Sequence, residues 1–209
     1  MLRARVLSAA VILPVVAVCA YLGHPWFTVL VAIALALGAC EFACLAKRVR
    51  YGAAPGISAA IAAALAMECG FCRGEYQGAL LALSILVAAI WHVLHARTLT
   101  PTEAWAATTL AGLYVGFLGL HLVALRALPN GLAWLALAVV TMWLSDSGAY
   151  LVGSAWGKHK LAPHLSPKKS WEGVAAGFVS ALASGAAIAW LAGIGVVHGL
   201  ACGLMVGVI

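Results

Sequence analysis

The chain has 209 residues, 65% of them hydrophobic and 9% charged, with a mean hydropathy of +1.07. Charged residues make up about 25% of an ordinary soluble domain, so that class is excluded. Segments that are apolar on every side also exclude a β-barrel, whose strands alternate apolar and polar positions.

The fold class that follows is all-α, a polytopic transmembrane helix bundle. Read as a single integral-membrane domain over 1–209, the sequence has room for about seven spans of about 20 residues and the start of an eighth. The net charge of +6 does not point to nucleic acid, because basic residues in a membrane chain set topology by staying on the cytoplasmic side.

Taken in order, the first stretch has a basic flank and an apolar run, an outline shared with cleaved signal peptides. A run of about 16 residues heading further spans reads instead as a retained helix over 6–22. Gly23-His24-Pro25 is a tight turn, and a second helix covers 26–46, closed by Lys47, Arg48 and Arg50. The third, 54–67, is short and alanine-rich. Charge supports it as a span: Arg3, Arg5, Lys47, Arg48, Arg50, Arg97, Lys158, Lys160, Lys168 and Lys169 then share one side, leaving Arg73 and Arg126 opposite. Further helices are expected over 79–95, 103–125, 132–152 and 171–191. Trp26, Trp91, Trp105, Trp134, Trp171 and Trp190 then fall near span ends, the usual interfacial position.

Small residues recur every fourth position at Gly173, Gly177, Ala181, Gly185, Ala189 and Gly193, again at Gly199, Gly203 and Gly207, and at Gly112 and Gly116. Such stripes let helices pack closely and say nothing of chemistry. The last segment, 198–209, is about 12 residues, too short to span alone, and stops inside apolar sequence without a cap. Cys69 and Cys72 form an isolated C-x-x-C in which a local disulfide is open.

Chemistry concentrates in 145–173. This stretch holds Asp146, the one aspartate in the chain, together with Lys158, Lys160, Lys168 and Lys169. A carboxylate facing lipid at the bilayer centre costs about 2.5 to 3.5 kcal/mol on insertion scales, so Asp146 is expected to face the bundle or a watery cavity. Tyr150 at i+4 and Gly153 at i+7 share its face. Ser166-Pro167-Lys168-Lys169 reads as a helix start, with Ser at the N-cap, Pro at N1 and lysines in the first turn. Lysines are misplaced against the dipole there unless an anion joins them, which makes a phosphate-binding corner. Headgroup anchoring by the same lysines stays open. Glu172 is explained by an i,i+4 ion pair with Lys168. Glu41 and Glu103 offer further carboxylates without a motif, and His159 and His164 read as loop residues.

At these residues the sequence resembles the integral-membrane phosphatidate cytidylyltransferases, also called CDP-diacylglycerol synthases. SDSGAYLVGSAWGKHKLAPHLSPKKSWEG is similar to that family's A-D-[ST]-G-A-Y…G-K-x-K-L-A-P…S-P-G-K-T-W-E-G, with Ser145, Lys168 and Ser170 as departures. The resemblance implies transfer of a cytidylyl group from CTP to phosphatidate, giving CDP-diacylglycerol and pyrophosphate, with Mg2+ as cofactor. Carried over residue by residue, it implies Asp146 and Lys169 as catalytic, with Asp146 also the metal ligand. Tyr150, Lys158, Lys160, Ser166, Ser170 and Glu172 are implied to contact substrate, and Lys168, where the family pattern has Gly, joins them from the phosphate-corner reading. The implied setting is a multi-pass protein of the cell inner membrane with loop 153–171 cytoplasmic; CTP, phosphatidate and membrane lipid are the partners and a homodimer is open. The family's acidic C-terminal signature is expected to begin after Ile209, so the 209 residues alone are expected to be an incomplete, inactive enzyme. The competing reading is a non-catalytic homologue that binds anionic lipid, or a small transporter using Asp146.

Overall fold

The computed structural model describes residues 2–49, 51–95, 100–162 and 166–208, without the side chains of 2–9, 11, 162 and 167. Arg50, Arg97, His164 and Ile209 therefore lie outside the described residues, as do the side chains of Arg3 and Arg5. The architecture is all-α with one small hairpin: α1 Leu2–Leu22, α2 Trp26–Arg48, α3 Pro55–Phe71, α4 Gln77–Leu94, α5 Pro101–Ala127, α6 Gly131–Trp156, β1 Lys160–Ala162, β2 Ser166–Ser170, α7 Trp171–Leu191 and α8 Val196–Val208.

Among the described residues five helices, α2, α4, α5, α6 and α7, are long and apolar enough to cross a membrane. The apolar part of α1 (Ile12–Leu22), α3 and α8 are shorter. Large apolar side chains such as Leu37, Val93, Leu191 and Val197 are exposed. An aqueous surface of that kind would aggregate; against lipid tails it is ordinary. This is a membrane protein.

The contacts group into two compact units, Met1–Pro129 and Asn130–Ile209. In the first, α2, α3 and α5 pack together through small side chains, with Ala43, Ala53 and Ala111 forming a buried cluster. The glycines Gly112 and Gly116 of α5 lie against Ile61 and Ala62 of α3. The short α3 is fixed by more than apolar contact. Pro55 sits at its first turn, where a missing N–H costs nothing. Thr108 Oγ1 of α5 accepts from Ala54 N at 2.8 Å and lies 2.8 Å from His92 Nε2 of α4, while Ser58 Oγ donates to Thr108 O at 2.9 Å. These groups satisfy one another where water is excluded.

At the far end of α5, Arg126 reaches back to α1. Its Nε donates to Ala20 O at 2.6 Å and Nη2 to Tyr21 O at 3.0 Å, supplying partners to carbonyls in the last turn of α1. Cys69 and Cys72 are free thiols, and Cys69 is buried against Leu120 O.

In the second unit α7 packs between α6 and α8. The small-residue stripe explains how, because Gly173, Gly177, Ala181, Gly185 and Ala189 are all buried. The sixth member, Gly193, does not extend the stripe: α7 ends at Leu191, and Gly193 has φ +68°, a left-handed turn that glycine adopts without penalty. Gly185 meets Gly199 of α8, and Gly203 meets Ala181 and Leu182, at distances that leave no room for a Cβ. Replacing Gly199 by valine should therefore force α7 and α8 apart at a cost of about 1–3 kcal/mol, read as a lowered thermal midpoint of purified protein, whereas alanine at Gly56, which lies in α3 with open space around it, should hold that midpoint or raise it slightly.

Candidate active site

The site is built where α6 and α7 approach most closely. Gly173 lies against Ala149 O and Gly153 Cα, and Gly177 against Ala149 Cβ and Ser145 O. Ser145 Oγ, buried, donates to Gly177 O at 3.1 Å and pins the crossing. Gly148 faces Ser180 of α7. With this face of α6 committed to α7, the neighbouring positions Asp146 and Tyr150 are turned outward and exposed.

The segment after α6 departs from the expected helix start. Residues 166–170 are extended, not helical, and pair antiparallel with 160–162, Lys160 opposite Ser170 and Ala162 opposite Ser166. The N-cap of α7 is Ser170, whose side chain accepts from Gly173 N at 3.2 Å. The physical reason is the conflict already visible in the sequence. A helix beginning at Ser166 would place two ammonium groups against the positive end of the dipole; beginning four residues later, it places Glu172 there instead. Lys168 and Lys169 thus belong to the strand, and the corner expected from a lysine-bearing first turn does not form.

Glu172 likewise does not pair with Lys168. Its Oε1 is 2.7 Å from His159 Nδ1, and its carboxylate accepts from His159 N at 3.2 and 3.3 Å. Trp171 N donates to His159 O at 2.9 Å, continuing the ladder. Thirteen residues of sequence separate Glu172 from its partner.

Between α6, the hairpin, α7 and the end of α8 lies a cavity of about 780 Å³. One part of its wall is polar: Asp146, Tyr150, Ser154, Lys160, Lys168, Lys169 and Ser170. The other is apolar: Val174, Phe178, Val206 and Val208. Asp146, Tyr150 and Ser154 fall at i, i+4 and i+8 on one face of α6. The cavity is therefore cationic with one carboxylate at its polar part, and greasy at the other. That is the chemistry of a phosphate-bearing amphiphile.

Of the residues singled out in the sequence, Asp146, Tyr150, Lys160, Lys168, Lys169 and Ser170 line this cavity; Lys158, Ser166 and Glu172 do not. Sequence reasoning missed Ser154, which the i+4 spacing from Tyr150 would have found, and the α8 wall, for which the sequence carries no polar signal. Glu41 and Glu103 belong to the first unit.

Among the described residues no three His, Cys, Asp or Glu side chains come together as a metal cage. In this unit the carboxylates are Asp146 and Glu172, and Glu172 is engaged by His159. A divalent cation of the Mg2+ type is commonly held by one or two carboxylates plus substrate phosphates and water. Asp146, sharing the lining of one cavity with three lysines, fits that mode and no fuller protein cage.

The family model described as the cytidylyltransferase family matches residues 3–209. The chain belongs to that family. Relatives of this cytidylyltransferase-family chain include proteins named phosphatidate cytidylyltransferase from Pseudomonas aeruginosa, 32% identical over 188 residues, from Bacillus subtilis, 40% over 100, and from Haemophilus influenzae, 46% over 79. These matches take in 85%, 47% and 37% of this chain and 66%, 37% and 27% of the relatives' own lengths, so the chain spans less than two thirds of each.

Because Ser170 closes the first turn of α7 and is nearly inaccessible, Ser170→Ala should destabilise the protein by about 1 kcal/mol. Ser170→Gly, which an N-cap tolerates at a cost of a few tenths of a kcal/mol and which adds no volume against Gly153, Gly157 and Gly173, should lose less in the same thermal melt.

Proposed function

We propose that the cavity is the active site of a phosphatidate cytidylyltransferase. A phosphate oxygen of phosphatidate attacks the α-phosphorus of CTP; the new P–O–P bond forms as the bond to the β-phosphate breaks, giving CDP-diacylglycerol and releasing pyrophosphate. The observation that carries this reading is a single cavity in which Asp146 and three lysines adjoin an apolar wall, in a chain of the cytidylyltransferase family.

The reaction brings two highly charged phosphates together, so its barrier is lowered chiefly by positioning and by fixed positive charge. Lys160, Lys168 and Lys169 supply that charge and hold the phosphates. Lysine acts here as a point charge that accepts varied oxygen geometry. Asp146 would hold Mg2+, which supplies charge neutralisation on the phosphates when bound. Tyr150 and Ser154 shape the polar rim on the same face of α6. The wall of Val174, Phe178 and Val206 suits the first methylenes of an acyl chain, which bury apolar area there at no polar cost. A phosphate at the membrane surface and a chain in the bilayer describe one lipid substrate.

This reading sets the hairpin on the cytoplasmic side of the inner membrane, where CTP is found and where the basic bias of the sequence points. A Ser154→Cys variant, in a background without the native cysteines, should react with an impermeant maleimide in inverted membrane vesicles and not in intact cells; labelling from outside would overturn the orientation and with it access to CTP.

Asp146→Asn keeps shape and removes charge. In a version extended to its relatives' length it should lower CDP-diacylglycerol formation by about 100-fold or more while leaving expression and membrane insertion intact. Lys169→Ala should raise KM for CTP by about 10-fold, and Lys168→Ala by less, since the family pattern carries glycine at that position. Turnover by Asp146→Asn at the unmodified rate, measured with labelled CTP, would remove this residue from the chemistry.

A further inference from the structure

The two strands of the hairpin are not held alike. Strand β2 runs directly into α7, so Lys168 and Lys169 inherit the position of the helix through the backbone. Strand β1 is three residues long and is joined to the end of α6 only through Gly157, Lys158 and His159; a lone two-stranded hairpin is at best marginal in water. It also brings Lys160 toward a wall that already carries Lys168 and Lys169, and like charges on one cavity repel.

What opposes this is the head of α7. His159, the residue before β1, is fixed at three points: its carbonyl by Trp171 N at 2.9 Å, its N–H by both oxygens of Glu172 at 3.2 and 3.3 Å, and its ring Nδ1 by Glu172 Oε1 at 2.7 Å. Two of the three belong to one carboxylate, itself placed in the first helical turn where the dipole favours an anion. Glu172 does not line the cavity, and its charge is spent on a neighbour one residue away from a lysine that does.

We propose that Glu172 is a positioning residue, and that its clasp on His159 sets Lys160 on the cavity wall so that Lys160 adds to nucleotide phosphate binding. Resting on the cytidylyltransferase reading above, the proposal names how that site is assembled. It makes an asymmetric demand: loss of the clasp silences Lys160 and leaves Lys169 working.

The test is a double-mutant cycle on the protein in nanodiscs, with the Kd for labelled CTP as the readout. Glu172→Ala and Lys160→Ala should each weaken CTP binding by about 5- to 10-fold, and the double variant should be no weaker than either alone, whereas Glu172→Ala and Lys169→Ala should multiply. Glu172→Gln, whose carbonyl oxygen can still accept from His159 N and Nδ1, and His159→Asn, whose amide N–H can replace Nδ1–H, should bind CTP close to the unmodified level, and His159→Phe, which removes the ring contact alone, should fall between. Tryptic cleavage after Lys158 and Lys160 should quicken in Glu172→Ala and remain slow in Glu172→Gln and His159→Asn. Multiplying effects of Glu172→Ala and Lys160→Ala, or equal coupling of Glu172 to Lys160 and Lys169, would overturn the clasp while leaving the enzymatic reading in place. CTP binding with the expected coupling but no transfer to phosphatidate, in a version extended to its relatives' length, would uphold the clasp and overturn that reading. No CTP binding by the unmodified protein would overturn both.

Discussion

The backbone contact between α6 and α7 is the constraint on which the functional unit depends. At Gly173 the helices meet main chain to main chain, against Ala149 O and Gly153 Cα, with no room for a Cβ, and at Gly177 they meet against Ala149 Cβ and Ser145 O. In a bilayer there is no hydrophobic gain from bringing helices together, so contact of this kind depends on packing and on hydrogen bonds such as Ser145 to Gly177. Its reach extends beyond the crossing. Gly157, at the end of α6, sits against Ser170 at the head of α7, so the end of one helix fixes the start of the next and the hairpin between them has little freedom in where it leaves and returns.

The helices were largely legible in the sequence because hydropathy is a long-range, redundant signal. The end of α7 at Leu191 is where the sequence puts it, and the short third helix, expected over 54–67, is observed as Pro55–Phe71, one of the shorter apolar helices. Asp146 was legible too: a lone aspartate in apolar sequence is expensive, and an exposed place on a polar cavity is one of the few environments that accepts it. The hairpin was not. Strands of three and five residues are too short for a period-2 pattern to register, and Ser166-Pro167 imitates the opening of a helix. The competing cap at Ser170 wins because it lets the first turn carry Glu172 and not two lysines. Glu172 shows the same limit from another side. Spacing along one helix offered Lys168, and the partner it takes becomes adjacent only when the chain folds back.

The cavity joins two requirements that are usually met by separate surfaces. Lysines can face it without lipid around them because they come from a hairpin outside the helices, while the apolar wall comes from the helices themselves, α7 and the end of α8. On the proposed reading a phosphate is held in the interfacial layer, where an ammonium remains hydrated, with its hydrocarbon continuing along helix surface. Neither element could do both.

Arg126 carries a consequence for how the first unit is made. The carbonyls of Ala20 and Tyr21 at the end of α1 are met by a guanidinium that lies 106 and 105 residues further along the chain. On the ribosome, α1 is complete long before that group has been synthesised, and α2, α3 and α4 must emerge first. Until α5 arrives those carbonyls have only water or lipid headgroups as partners, although α2 already lies against α1. Packing and polar satisfaction therefore come at different times: α1 can meet α2 early, and its last carbonyls are satisfied only once α5 is in place.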